Sequence, residues 1–297
     1  MPRHNRSFCK MPMNYDFLIC GLRVRFELPW ELKITPESRP FLRSPEELGA
    51  PELTMSFCGV DSLALPAGGG VWHVDSYYVS DNDGEKIWHC PARGQDPYCC
   101  VTWDREDRAL CRYVRGQEDQ IVYTKNLLEL LGLEYFLLRF RGLIVHAALV
   151  NWEGRGILFC APSGTGKSTQ ANLWQQHMGS RTLNGDRAGI RCQDGVWTAW
   201  GLPYAGSSGI YCNQSVPIRA VVLLRQGAEN RIAPVSGPEA FKSLLPQCNA
   251  RRWDADFMDG LTKLLVSLIG GVSLYRLECR PDAEAVDLLR RTLLEED

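Results

Sequence analysis

The stretch APSGTGKSTQ, residues 161–170, decides how the second half of this chain is read. It follows RGILFC, residues 155–160, an apolar run of strand length. It leads into KSTQANLWQQHM, where Ala171, Leu173, Trp174 and Met178 supply an apolar helical face and Gly179 a stop. A strand, a glycine-rich turn and a helix in that order meet the physical demand of a phosphate group. Several backbone N–H groups must point at one anion, with a helix N-terminus behind them. Gly164 and Gly166 permit the backbone conformations and close approach this requires. Ser163, Gly164, Thr165, Gly166, Lys167, Ser168 and Thr169 form the candidate cradle; Lys167 can reach the outer phosphates and Ser168 can offer a hydroxyl to Mg²⁺. Ala161 stands where such loops usually start with glycine, which is tolerable if the residue is extended and no phosphate packs on its Cβ. A ligand-free turn rich in glycine and serine is the plain alternative; the full run SGTGKST between a strand and a helix argues against it.

Upstream, LIVHAALV, residues 143–150, reads as a strand, and Asn151 to Gly154 as a turn. A hairpin therefore feeds the loop. Parallel neighbours would need long crossovers, so a tight hairpin here implies a mixed sheet. His146 sits in the middle of that apolar strand, where a satisfied core histidine is the bland reading. Its strand partners the one that carries the loop, so its imidazole can also act as a base or hold a carboxylate charged. Downstream, Asp186 lies where TLNGDRAGI leaves a strand. It is a candidate ligand for Mg²⁺ and a candidate acceptor of a hydroxyl proton; the alternative is a simple strand-end turn built on Asn184-Gly185. His146, Lys167 and Asp186 are thus the candidate catalytic residues, and Ser168 and Asp186 the candidate metal ligands. Arg187, Arg219, Arg225 and Arg231 are further cations that a phosphoryl-transfer site could use.

The rest of the second half continues with strands RTLNGDRAGIRC and VWTAWG joined at Asp194-Gly195, then strand IRAVVLLRQ. Helices are expected over 238–245, 255–269 and 282–294, with strand SLYRLEC before the last and a helix start at Pro281-Asp282. Residues 14–122 read as β-rich. LRVRFEL alternates apolar and charged positions, and VWHVDSYYV, YCCVTW and ALCRYV are further strands. Pro66 to Gly70 and Asp83-Gly84 punctuate them, which predicts a small antiparallel domain. NLLELLGLEYFLLRF, within a single helix expected at about 124–140, is apolar on most faces but too short and too charged for a membrane span. The expected organisation is a β-rich domain over 1–122, suited to substrate or peptide docking, and a nucleotide-binding domain over 123–297.

Composition narrows the function. With 45% hydrophobic and 23% charged residues the chain is globular, and a net charge of -2 gives no footprint for nucleic acid. Twelve scattered cysteines without a C-x-x-C unit, and an N-terminus without a signal-peptide core, point to a reduced, cytoplasmic protein. His89, Cys90, Cys99 and Cys100 fit no common zinc spacing, so a plain β-loop is expected there.

Residues 143–190, through LIVHAALVNWEGRGILFCAPSGTGKSTQANLWQQHMGSRTLNGDRAGI, resemble the nucleotide core of the HPr kinase/phosphorylase-like proteins, which share a fold with the phosphoenolpyruvate carboxykinases. The resemblance continues more weakly to about residue 232. It implies an α/β core with a mixed sheet, ATP and Mg²⁺ as cofactors, and transfer of a phosphoryl group to a serine of a peptide or protein. Some relatives look like tailoring kinases acting on a precursor peptide. The family usually has two consecutive acids where this chain has Gly185 and Asp186, and a basic residue in the loop that here runs from Tyr204 to Ser208. Those departures leave two other readings: a degenerate kinase serving as a nucleotide-dependent binding module, and a carboxykinase-like enzyme acting on a small molecule.

Overall fold

The structure is a computed structural model that describes residues 12–44, 46, 49–64, 71–74, 77–82, 85–90, 96–105, 107–204 and 206–295. The chain divides into two compact units, Met1–Leu131 and Gly132–Asp297.

The first unit holds β1 (Met13–Ile19), β2 (Leu22–Leu28), β3 (Leu42–Arg43), β4 (Leu53–Val60), β5 (Val71–Val74), β6 (Tyr77–Asn82), β7 (Glu85–Cys90), β8 (Cys99–Arg105) and β9 (Arg108–Val114). They form one sheet in the order β3-β1-β2-β4-β9-β8-β7-β6-β5. The alternation in LRVRFEL places Val24, Phe26 and Leu28 in the core, each fully buried. Arg23 and Arg25 instead grip the buried carboxylate of Asp16 on β1, at 2.9–3.2 Å. The sheet is not antiparallel throughout, as the sequence suggested. β4 runs parallel to both β2 and β9. A long connection from β2 to β4, carrying a 3-10 turn at Arg39–Phe41 and the short β3, lets the chain re-enter the sheet in the same direction. VWHVDSYYV is two antiparallel strands, β5 and β6, rather than one. The punctuating Pro66 to Gly70 and Asp83-Gly84 lie outside the described residues.

The single helix expected at 124–140 is two: α1 (Thr124–Leu131) and α2 (Leu133–Arg139). Gly132 between them has φ +60, a left-handed conformation that ends a helix and that glycine adopts at little cost. The apolar run 126–140 conceals this break, because leucines occupy both sides of it. Among the described residues no helix is long and apolar enough to cross a membrane.

The second unit contains β10 (Gly142–Trp152), β11 (Arg155–Cys160), α3 (Lys167–Met178), β12 (Arg181–Asn184), β13 (Arg187–Gln193), β14 (Val196–Gly201), β15 (Ser215–Gln226), β16 (Arg231–Pro234), α4 (Gly237–Leu244), α5 (Ala255–Gly271), β17 (Ser273–Cys279) and α6 (Ala283–Glu295). β10 and β11 form the expected hairpin. Glu153 and Gly154 at its tip both have positive φ, as a two-residue hairpin turn requires, and the Gly154 N–H donates to Asn151 Oδ1 at 2.9 Å. β11 then pairs in parallel with β15, and β15 in parallel with β17, so the sheet is mixed. β15 is long enough to serve two neighbours. Ser215–Pro217 pair with β14 and Ile218–Leu223 with β11, which closes β11, β10, β13, β14 and β15 into a circuit. Asp282 starts α6 as its position after Pro281 suggested, accepting from the Ala285 N–H at 3.1 Å.

Both faces of this sheet are covered, which is why its strands read as continuous apolar runs. On β10, Leu143, Val145, Ala147 and Leu149 pack with Ala240 and Leu244 of α4 and with Phe257, Leu261 and Leu265 of α5. Ala148, Val150 and Trp152 face the other way, against α3 and α6. Trp174 of α3 is the anchor of that second layer. It is fully buried, with its ring 5.2 Å from Trp152 and 6.3 Å from Phe159. Trp174→Ala should therefore destabilise the second unit by about 3–5 kcal/mol, the usual cost of truncating a buried aromatic, as read from denaturant unfolding.

Candidate functional site

β11 ends at Cys160, and α3 begins at Lys167. The intervening turn takes its shape from two glycines, Gly164 at φ +80 and Gly166 at φ +114. Open space surrounds the position of a Cβ at either one. The first amides of α3 have no intrahelical partner and stand at the positive end of a twelve-residue helix. Ser163, Gly164, Ser168 and Thr169 are exposed; Thr165 and Gly166 are half-buried. Lys167 is 7% exposed, and its ammonium crosses the turn to donate to the carbonyls of Ala161 at 2.9 Å and Pro162 at 3.3 Å. Burial lowers its pKa from the ordinary lysine value, while the fields of Cys160 and Asp186 pull the other way. Ala161 is 4% exposed and packs into the apolar cluster beneath α3, so its methyl has a place in the core.

The tract RTLNGDRAGIRC is broken at Gly185-Asp186 into β12 and β13. Asn184, fully buried, organises the break. Its Oδ1 accepts from the N–H groups of Asp186 at 2.9 Å and Arg187 at 3.0 Å. Its Nδ2 donates to the carbonyls of Leu202 at 3.0 Å and Tyr204 at 2.9 Å. One side chain thus fixes both the acidic turn and the loop that follows β14. The Asp186 carbonyl accepts from the Ala147 N–H at 3.0 Å, and His146 pairs directly with Arg187 across β10 and β13. Ala147 is in turn the ladder partner of Cys160, where β11 gives way to the glycine-rich turn. The three candidate catalytic residues are thereby gathered from three elements at one point of the sheet. Their fields overlap: the His146 pKa is lowered first by burial and then by Lys167 and Arg187, with Asp186 opposing.

Arg187 lies 3.5 Å from the Asp186 carboxylate through Nε and places its guanidinium 5.6 Å from the Tyr204 ring centre. Gly206, at φ +52, packs on the acid itself. A Cβ there would sit 2.5 Å from Asp186 Cβ and Cγ. Gly185 is closed in the same way, since a Cβ would lie 2.6 Å from Ser208 Cβ. A small cleft of about 130 Å³ separates the first turn of α3 from this turn, with Ser168, Thr182, Gly185 and Ser208 on its walls. The Thr182 hydroxyl is buried and without a hydrogen-bond partner.

The other arginines singled out from the sequence go elsewhere. Arg219 donates to the Leu293 carbonyl, Arg231 pairs with Glu229, and Arg225 lies 3.9 Å from Glu278. Asn184, Tyr204, Gly206 and Ser208 were not picked out as site residues. Only the Asn-Gly pair hinted at a local role for Asn184, because side chain-to-backbone bonding is what asparagine does at strand ends. Mg²⁺ keeps several waters and takes one or two protein oxygen ligands beside phosphate oxygens, and Ser168 and Asp186 carry oxygen donors of that kind. The wide-open positions around Gly164 and Gly166 leave room for those phosphates. Among the described residues no group of three or more His, Cys, Asp or Glu side chains is arranged to hold a metal. His89, in the stretch weighed for zinc, is instead 2.9 Å from Ser80 Oγ.

No curated protein matches this chain. A solved structure similar to it is the Hpr(Ser) kinase/phosphatase from Coxiella burnetii, with 11% sequence identity, 52% of this chain and 88% of that one covered, and a TM-score of 0.28. The model of the family described as SynChlorMet cassette protein ScmC matches residues 110–263. That match takes in more than half of the 297 residues, from β9 through most of α5, with the glycine-rich turn and Asp186 near its middle. The chain therefore belongs to the ScmC family of SynChlorMet cassette proteins.

Proposed function

We propose that the second unit binds ATP with Mg²⁺ and transfers the γ-phosphoryl group to a serine hydroxyl of a peptide or protein. The observation that carries this reading is the convergence of a helix-backed glycine-rich turn, a buried lysine, a histidine and a carboxylate on one point of the sheet. In this reading the amides from Ser163 to Thr169 and the Lys167 ammonium hold the phosphate oxygens. Ser168 and Asp186 hold Mg²⁺, which when bound would neutralise phosphate charge. The acceptor oxygen bonds to γ-phosphorus as the bond to the β-phosphate oxygen breaks. The hydroxyl proton passes to the Asp186 carboxylate, and ADP departs. In the same reading His146, depressed in pKa and so neutral near pH 7, takes that proton onward. Arg187, braced by Tyr204, offers positive charge beside Asp186. Positioning and charge neutralisation supply most of the rate in such a transfer.

A cassette protein works beside others, so a peptide encoded in the same cassette is the first acceptor to try. The β-rich part of the chain, residues 1–122, is the proposed docking platform and residues 123–297 the kinase domain. One observation favours a second reading, a nucleotide-dependent binding module. Ser208 packs over Gly185, so the turn carries a single carboxylate.

Three measurements test the enzyme reading. Incubated with ATP labelled at the γ-phosphate and candidate cassette peptides, the wild type should label serine, and Asp186→Asn should lower the rate by about 10²–10⁴-fold. No labelling by either protein while ATP still binds overturns the kinase in favour of the binding module, and equal labelling by both overturns the role of Asp186. The acid limb of kcat/KM should lie below pH 6.5, the ordinary histidine value, because protonating His146 removes a base whose pKa burial has lowered. His146→Gln should abolish that limb. Gly206→Ala should cost at least tenfold in rate and also lower stability, since alanine is strained at φ +52 and its methyl collides with the Asp186 side chain; a rate loss that persists at temperatures where the variant is fully folded marks the effect on Asp186.

A further inference from the structure

A second cavity, of about 320 Å³, adjoins the glycine-rich turn, at the small end of the range for ligand sites. Gly164, Thr169 and Gln170 form one wall; Leu224 and Arg225 at the end of β15, and Cys279 at the end of β17, form the other. It opens at the carboxyl ends of parallel strands, where α/β sheets place their ligands. Gln170 is the informative residue. It is only 3% exposed, one turn into α3, and its Oε1 is buried without a hydrogen-bond partner. Its Nε2 donates to Cys279 Sγ at 3.2 Å, across 109 positions of sequence. A buried acceptor with nothing to accept is destabilising, and a ligand donor arriving in the cavity would offset that.

We propose that this cavity seats the base of the nucleotide, and that the Gln170 carboxamide oxygen accepts from the 6-amino group of adenine while Cys279 holds the carboxamide in that orientation. The inference rests on the phosphate-binding reading above, since the turn joins the two places. The turn can recognise only phosphates; the cavity supplies what it lacks. Gln170 follows directly on the residues that would hold the phosphates, so a nucleoside attached to them would enter here. Leu224 gives an apolar contact for a ring, and the largely exposed Arg225 lines the same wall. Because the sulfur of Cys279 engages the NH₂ end, the oxygen end is left for the ligand. A purine with an amino group at position 6 presents a donor there, and one with a 6-oxo group presents a second acceptor. Gln170 would then be a specificity residue and Cys279 a positioning residue.

Calorimetric titration of the full chain with three probes, each with Mg²⁺, tests this: the β,γ-imido analogues of ATP and GTP, and inorganic tripolyphosphate. The wild type should bind the adenosine analogue at least tenfold more tightly than either of the others. Gln170→Leu, which keeps the volume and helix propensity, should lower adenosine-analogue affinity about tenfold. Its tripolyphosphate affinity should stay within twofold, which also shows that the variant is folded. Cys279→Val should shrink the preference for the adenosine over the guanosine analogue while retaining tripolyphosphate binding. An adenosine analogue bound no better than tripolyphosphate overturns the base seat and leaves the phosphate site standing. A preference for the guanosine analogue, or a selectivity unchanged in Gln170→Leu, overturns the role of Gln170. A wild type that binds none of the three removes the phosphate reading and this inference with it.

Discussion

Strand β10 is the piece of backbone on which the second unit depends. Along one edge its later residues pair with β11, and along the other its earlier residues pair with β13. The two ladders meet at His146 and Ala147, so the end of β11 and the start of β13 are held on either side of the same dipeptide. A slip of one residue in either ladder would turn every side chain of the moved strand to the opposite face. It would also part the glycine-rich turn from Asp186. The tip of the hairpin, with its two positive φ angles, sets the first register, and the Asn184 carboxamide, with four hydrogen bonds, sets the second.

The electrostatics follow from that arrangement. Lys167 is buried among carbonyls, which stabilise an ammonium, and Asp186 adds an attractive field from the neighbouring strand. His146 lies between the two cations Lys167 and Arg187 in partly desolvated surroundings, so its imidazole stays neutral where an exposed histidine would begin to protonate. Glu134 on α2 extends the pattern. Burial pushes its pKa up to about 7, Arg187 acts in the opposite direction, and Arg251 closes on its carboxylate. The charge of Arg187 thus acts on two carboxylates, Asp186 at the turn and Glu134 on α2.

What was legible in the sequence was local. The strand, turn and helix around residues 155–178 are written in adjacent residues, as are the hairpin tip at Asn151–Gly154 and the α6 start at Asp282, because each depends on partners three or four positions away. The mixed character of the second sheet followed from the hairpin. The parallel pairings of β4 did not, since parallel neighbours are joined through long connections and no short-range signal marks them. Gly132 hid its break inside a leucine-rich run. At the site, His146, Lys167 and Asp186 stood out as polar groups in apolar or motif contexts. Gly206 and Ser208 did not, because they act on residues twenty or more positions away, and Asn184 did not, because two of its four hydrogen bonds reach the loop after β14. Gln170 meets Cys279 only through the parallel pairing of β11, β15 and β17, which no window of sequence contains.

The packing of Ser208 against Gly185 has a consequence for how this chain can vary. An acid placed at position 185 would need its Cβ where the serine already sits, so it cannot be accommodated alone. The loop from Tyr204 to Ser208 would have to be rerouted first, and that loop is tied through Asn184 to the very turn being altered. Positions 185 and 208 are therefore sterically coupled, and a side chain at 185 calls for a change at 208.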